Sequence, residues 1–132
     1  MSDNSNLTLK LTVGAVTHCS PVKMGATAGT CTAPTATTDH VIGFVPFGSD
    51  YAVGDHVPVL SSGQVIKVRL GATLATPGVP LVLHASNFDR LTTATINIAG
   101  GSTNTQILGY LIDAGVDGDI VRMEYAPSLA SV

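Results

Sequence analysis

The sequence predicts an all-β protein: a small single-domain antiparallel β-barrel or β-sandwich with an extended N-terminal arm and a long loop rich in Thr, Ala and Gly. Three observations carry this. Fourteen Gly and seven Pro cut the 132 residues into short pieces. No window keeps apolar residues at i, i+3, i+4 and i+7 for three helical turns. Several of the pieces instead alternate apolar and polar residues, the period of a half-buried strand. The length fits one domain with one core.

Residues 1–6 are polar, have nothing to bury, and read as a flexible arm; an acid stands where a secretory signal would carry Lys or Arg before an apolar core. The domain is expected over 7–132. Its first strand is Leu7 to Val13, where Leu7, Leu9, Leu11 and Val13 alternate with Thr8, Lys10 and Thr12. From His18 to His40 the chain becomes a Thr, Ala, Gly and Pro tract, which reads as a long contact loop, because a structureless stretch of more than about 15 residues in a compact domain is usually functional or disordered. A strand resumes over Val41 to Val45 and stops at Pro46. Ser61-Ser62-Gly63-Gln64 then offers turn chemistry for a hairpin between Val57–Leu60 and Val65–Leu70. In the second of these runs Lys67 and Arg69 should face outward. Leu81–His84, Ile107–Ile112 and Ile120–Tyr125 are later strands, Thr95–Ala99 is a weaker one, and 87–94 could form one or two helical turns with Ser86 as N-cap.

A turn glycine feeding a strand recurs at Gly54, Gly78 and Gly118. These unequal intervals are hairpin grammar and not a solenoid repeat. Pro58 and Pro80 each remove a ladder donor, which places their strands at a sheet edge or a bulge.

Charge and chemistry exclude more than they suggest. Charged residues are 11% of the chain, against roughly 25% in an average soluble domain, while the hydrophobic fraction of 45% is ordinary. No apolar run approaches the roughly 20 residues of a membrane-spanning helix, so no membrane partner is expected. The net charge is −3, and Lys10, Lys23, Lys67, Arg69, Arg90 and Arg122 form no cluster along the chain, which argues against nucleic acid as a partner. Cys19 and Cys31 match no zinc spacing; free thiols are the expectation, with a disulfide left open for an oxidising medium.

Asp113, Asp117 and Asp119 bracket Gly115 and Gly118 without the alternating ligands and closing Glu of a calcium loop, and so read as a hairpin turn. His18, His40, His56 and His84 are scattered, Glu124 alternates onto a surface face, and there is no Gly-x-Ser-x-Gly elbow. Val22-Lys23-Met24 is only part of the Met-Lys-Met hairpin of biotin carriers, and a solvated loop lysine is the better reading. No catalytic residue, cofactor or metal site is expected, and the chain reads as a non-enzyme.

From Gly71 onward the order of features, with the strand that leads into it, resembles the capsid decoration, or head cement, proteins of tailed bacteriophages. The residues that carry the resemblance are Lys67-Val68-Arg69-Leu70-Gly71-Ala72-Thr73, Pro77-Gly78-Val79-Pro80-Leu81-Val82-Leu83, Ile107-Leu108-Gly109-Tyr110-Leu111 and Ala114-Gly115-Val116-Asp117-Gly118-Asp119-Ile120-Val121-Arg122-Met123. Leu111 stands where the family pattern has Ala, and the tract from His18 to His40 departs from it. The resemblance implies a structural protein on the outer capsid surface of the virion, made in the host cytoplasm. It would bind the major capsid protein lattice and itself, with a trimer favoured over a dimer.

Interfaces deplete charge at their centres, and His18 to Phe47 holds only Lys23 and Asp39 as charges. Candidate contact residues are therefore Leu7, Leu9, Leu11 and Val13 of the first strand, Val22, Met24, Thr27, Thr30, Thr35 and Thr37 of the loop, and Phe44 and Phe47 at its exit. The alternative is a non-catalytic β-sandwich module recognising carbohydrate or a host surface; the chain has no Trp to serve as a sugar platform.

Overall fold

The computed structural model describes residues 7–37, 39–60, 63–93 and 104–131. The N-terminal arm and the weak strand Thr95–Ala99 lie outside the described residues. Ten strands run β1 (Leu7–Val13), β2 (Pro21–Met24), β3 (Thr30–Thr32), β4 (Val41–Phe44), β5 (His56–Val59), β6 (Val65–Arg69), β7 (Pro80–Leu83), β8 (Leu91–Thr93), β9 (Asn104–Leu111) and β10 (Ile120–Ser131). They form two five-stranded sheets, ordered β4-β2-β3-β1-β5 and β6-β10-β9-β7-β8. The all-β class holds, but not every pairing is antiparallel: β1 pairs with β3 in parallel, and Leu70 bridges Leu91 in parallel.

Each sheet curls until its edges nearly meet. In the first, Phe44 at the end of β4 and Leu60 beyond β5 exchange backbone hydrogen bonds of 3.2 and 2.8 Å. In the second, Leu70 after β6 bridges Leu91 of β8. The first seam needs a glycine: a Cβ on Gly43 would lie 2.2 Å from Val59 Cγ1 and 2.5 Å from the Leu60 carbonyl oxygen.

The first sheet encloses Leu9, Leu11, Val16, Val22, Cys31, Val45, Val57 and Val59. The second encloses a larger cluster that includes Leu70, Leu81, Leu91, Leu108, Met123 and Tyr125, and it also takes in Val41 and Phe44 from β4. The rings of Phe44 and Tyr125 meet edge to face at 5.1 Å, a favoured aromatic geometry. Gln106 of β9 adds a polar tie, its amide pairing with both the N–H (2.8 Å) and the carbonyl (3.1 Å) of Val41.

Several sequence expectations need correction. The tract from His18 to His40 is not a single loop. It contains β2 and β3, which are too short to show alternation; the turn between them is tied by the Thr30 hydroxyl donating to the Thr27 carbonyl (2.6 Å) and by Gly29 at φ 77°. Val57–Leu60 and Val65–Leu70 are not hairpin partners, since β5 and β6 belong to different sheets; Ser61 and Ser62 of the expected turn lie outside the described residues. The stretch from Asn87 forms a turn into β8 and not a helix. Ser86 is not its cap: His84 Nδ1 accepts from the Ser86 and Asn87 N–H groups at 3.1 and 3.0 Å.

Pro58 does sit on an edge strand, but Pro80 opens β7, an internal strand. It stands at the first position of the strand, where proline is tolerated. Cys19 and Cys31 are free and buried.

Candidate functional site

β6 alternates as its sequence requires, with Ile66 and Val68 in the core and Lys67 outward. β10 does the same, burying Val121, Met123 and Tyr125 and turning out Arg122 and Glu124. Their antiparallel register sets Arg122 directly opposite Lys67. From the first sheet, Phe47 follows Pro46 onto this face. Its ring centroid is 4.2 Å from Lys67 Nζ, within reach of a cation–π attraction, and the His18 ring meets it edge-on at 5.2 Å. Phe47 remains 54% exposed.

Between these groups runs an open groove of about 410 Å³ lined by Phe47, Lys67, Asp113, Ile120, Val121 and Arg122. Asp113 grips Arg122 from the side: Nε donates to Oδ2 and Nη2 to Oδ1, both at 2.9 Å, and the Arg122 N–H donates to Oδ2 at 3.2 Å. These bonds hold the Asp113 carboxyl below its ordinary range and push the Arg122 guanidinium up. Arg69, two positions beyond Lys67 on the same strand, has its buried Nε without a partner.

Behind the face lies Cys19, fully buried with a left-handed backbone at φ 68°, a conformation uncommon for a residue other than glycine. Burial raises its thiol to about 11, against the opposing pull of the Arg69 and Lys67 charges. A protonated, enclosed thiol is a poor nucleophile. Burial likewise raises the Tyr125 hydroxyl to about 12. Among the described residues no three His, Cys, Asp or Glu side chains are grouped to hold a metal ion. The arrangement suits contact through charge and an exposed ring more than bond-making.

The expected contact residues divide. Leu9, Leu11, Val22 and Phe44 are packed inside the chain and Thr30 is buried, so these five are corrected from interface to interior. In each case a local apolar or turn position was filled by the chain's own sheets. The backbone of Leu7 pairs with Val59. Val13 should point inward by alternation, but an irregularity in the β1–β3 register after Leu11 turns it out, 64% exposed, as a bulge does. Met24, Thr27, Thr35, Thr37 and Phe47 are on the surface.

What the sequence reading missed is the grouping of Lys67, Arg69 and Arg122. Lys67 and Arg69 share β6, and Arg122, far along the chain, joins them only through the register of β6 and β10. The alternation in Lys67-Val68-Arg69 was the available signal.

No protein-family model matches the chain, and no curated protein does. Among solved structures, the head fiber gp8.5 N base of bacteriophage phi29 is similar at a TM-score of 0.62, with 14% identity over 92% of each chain. At that identity the likeness is one of fold, and the fold spans nearly the whole chain.

Proposed function

We propose that this chain is a non-enzymatic structural protein of a tailed-phage head, a decoration or cement protein on the outer surface of the assembled icosahedral shell that stabilises it against internal DNA pressure. The observation that carries the reading is the likeness of fold, over 92% of the chain, to the base of a phage head fiber. The strand and turn order from Gly71 onward supports it independently.

In this reading the partners are the major capsid protein lattice and further copies of the chain, with a trimer favoured over a dimer. The protein is made in the host cytoplasm and resides on the virion surface. Val13, Met24, Thr27, Thr35, Thr37 and Phe47, exposed in the isolated chain, are the contact set. Selective binding to the assembled lattice lowers its free energy relative to dissociated subunits by mass action, and many weak sites fixed by symmetry act together.

The test uses expanded empty capsids. Purified protein should bind them at a fixed ratio to the lattice and raise the temperature or osmotic shock at which they rupture. Decorated and bare shells that rupture alike would sink the reading.

A further inference from the structure

We propose that the groove between Phe47 and the Lys67–Arg122 pair is a docking site for an acidic segment of a partner protein. In this site carboxylates face Lys67 and the outer rim of Arg122, and an apolar side chain lies against Phe47 and Ile120. Charge complementarity carries the inference. The chain is net negative with only six Lys and Arg, yet Lys67, Arg69 and Arg122 share one neighbourhood. Elsewhere Lys23 and Arg90 are matched by Asp39 and Asp117, whereas Lys67 has no ion-pair partner among the described residues. Asp113 is the groove's own acid, and both its oxygens already accept from Arg122. Glu124 stands at the margin, two positions along β10.

The hydrogen-bonding inventory selects the ligand's chemistry. Lys67 and Arg122 only donate, and Asp113 is engaged, so the groove suits a group that only accepts, such as a carboxylate. Sugar hydroxyls also donate, and Asp113, whose oxygens already accept three Arg122 hydrogen bonds, has little capacity left to receive them. A nucleic acid needs a longer cationic track and ring faces for stacking, whereas here the cations stop at three and Lys67 already lies over the Phe47 ring. The groove's volume accommodates a few side chains of an extended segment.

This inference does not depend on the head-decoration reading, because its test needs no capsid. The probes are a fluorescein-labelled peptide alternating glutamate with phenylalanine, the same peptide with lysine in place of glutamate, and a labelled hexathymidylate, each titrated by anisotropy against the full chain. The acidic peptide should saturate at least about tenfold more tightly than either control, and weaken as salt is raised. Lys67→Glu should cost at least about tenfold and Phe47→Ala roughly fivefold, with melting curves unchanged. Should Lys67→Glu disturb the fold, Lys67→Gln must still weaken binding. The proposal is overturned if the acidic peptide does not saturate below millimolar concentration, if hexathymidylate binds equally well, or if well-folded Lys67 variants bind as the parent does.

Discussion

The two sheets have the same number of strands and the same manner of curling, but they do not depend on each other equally. The first fills its interior with residues from its own strands and loops, mostly Val and Leu with Cys31. The second has longer strands in β9 and β10 and a bulkier core, yet it completes that core with Val41 and Phe44, whose backbone belongs to the first sheet. The seams differ as well. The first closes on Gly43 against backbone and side chain at distances no Cβ could occupy, while the second closes through a parallel bridge between Leu70 and Leu91. A domain can thus hold two barrel-like halves, one with a core of its own and the other finished by a borrowed aromatic.

The largest effect should come from Gly43→Ala, which places a methyl group against the Leu60 carbonyl and forces the seam apart. A cost beyond the roughly 1–3 kcal/mol of ordinary overpacking is expected, read as loss of soluble, cooperatively melting protein. Next comes Phe44→Ala. It should cost about 3–5 kcal/mol, and native-state hydrogen exchange should quicken in β6, β9 and β10 while the amides of Leu9 and Leu11 keep more of their protection. Uniform loss across both sheets would break the one-way comparison.

The smallest effect concerns Asp39, which anchors the approach to β4 by accepting from Thr35 N–H (2.7 Å), Ala36 N–H (3.0 Å) and Lys23 Nζ (2.9 Å). Burial alone would raise its pKa, but these hydrogen bonds and the Lys23 charge outweigh that and hold it below the ordinary carboxylate range. A carboxylate depressed on folding contributes in full above its unfolded value of about 3.9. It loses that contribution as pH falls through the lower folded value. Thermal melts of the parent should therefore drop more steeply than those of Asp39→Asn as pH falls below about 4.

The fold class was legible because strands such as Leu7–Val13 and Val65–Arg69 alternate, and period two survives without knowledge of partners. Strands β2 and β3 were not legible, since four and three residues are too few to show a period and Thr serves loops and strands alike. Partner choice also escaped: Ser61–Gln64 has turn residues whether it closes a hairpin or links two sheets. The same gap hid the candidate site, because Lys67 and Arg122 become neighbours only by register. Phe44 and Phe47, close in sequence and alike in chemistry, went opposite ways for a reason remote from both, since β10 supplies Tyr125 to cover the first ring, while the His18 ring edge and Lys67 reach the second and leave it half exposed.

The contact between Phe44 and Tyr125 also sets a timetable for synthesis. The ribosome makes β4 long before β10, so the strands of the first sheet can pair while the Phe44 ring is still uncovered. That ring stays sticky until Tyr125 emerges, leaving a half-made chain with an apolar surface of the kind on which chaperones act and neighbouring nascent chains aggregate. A protein made in many copies at once would meet that hazard most sharply on crowded polysomes.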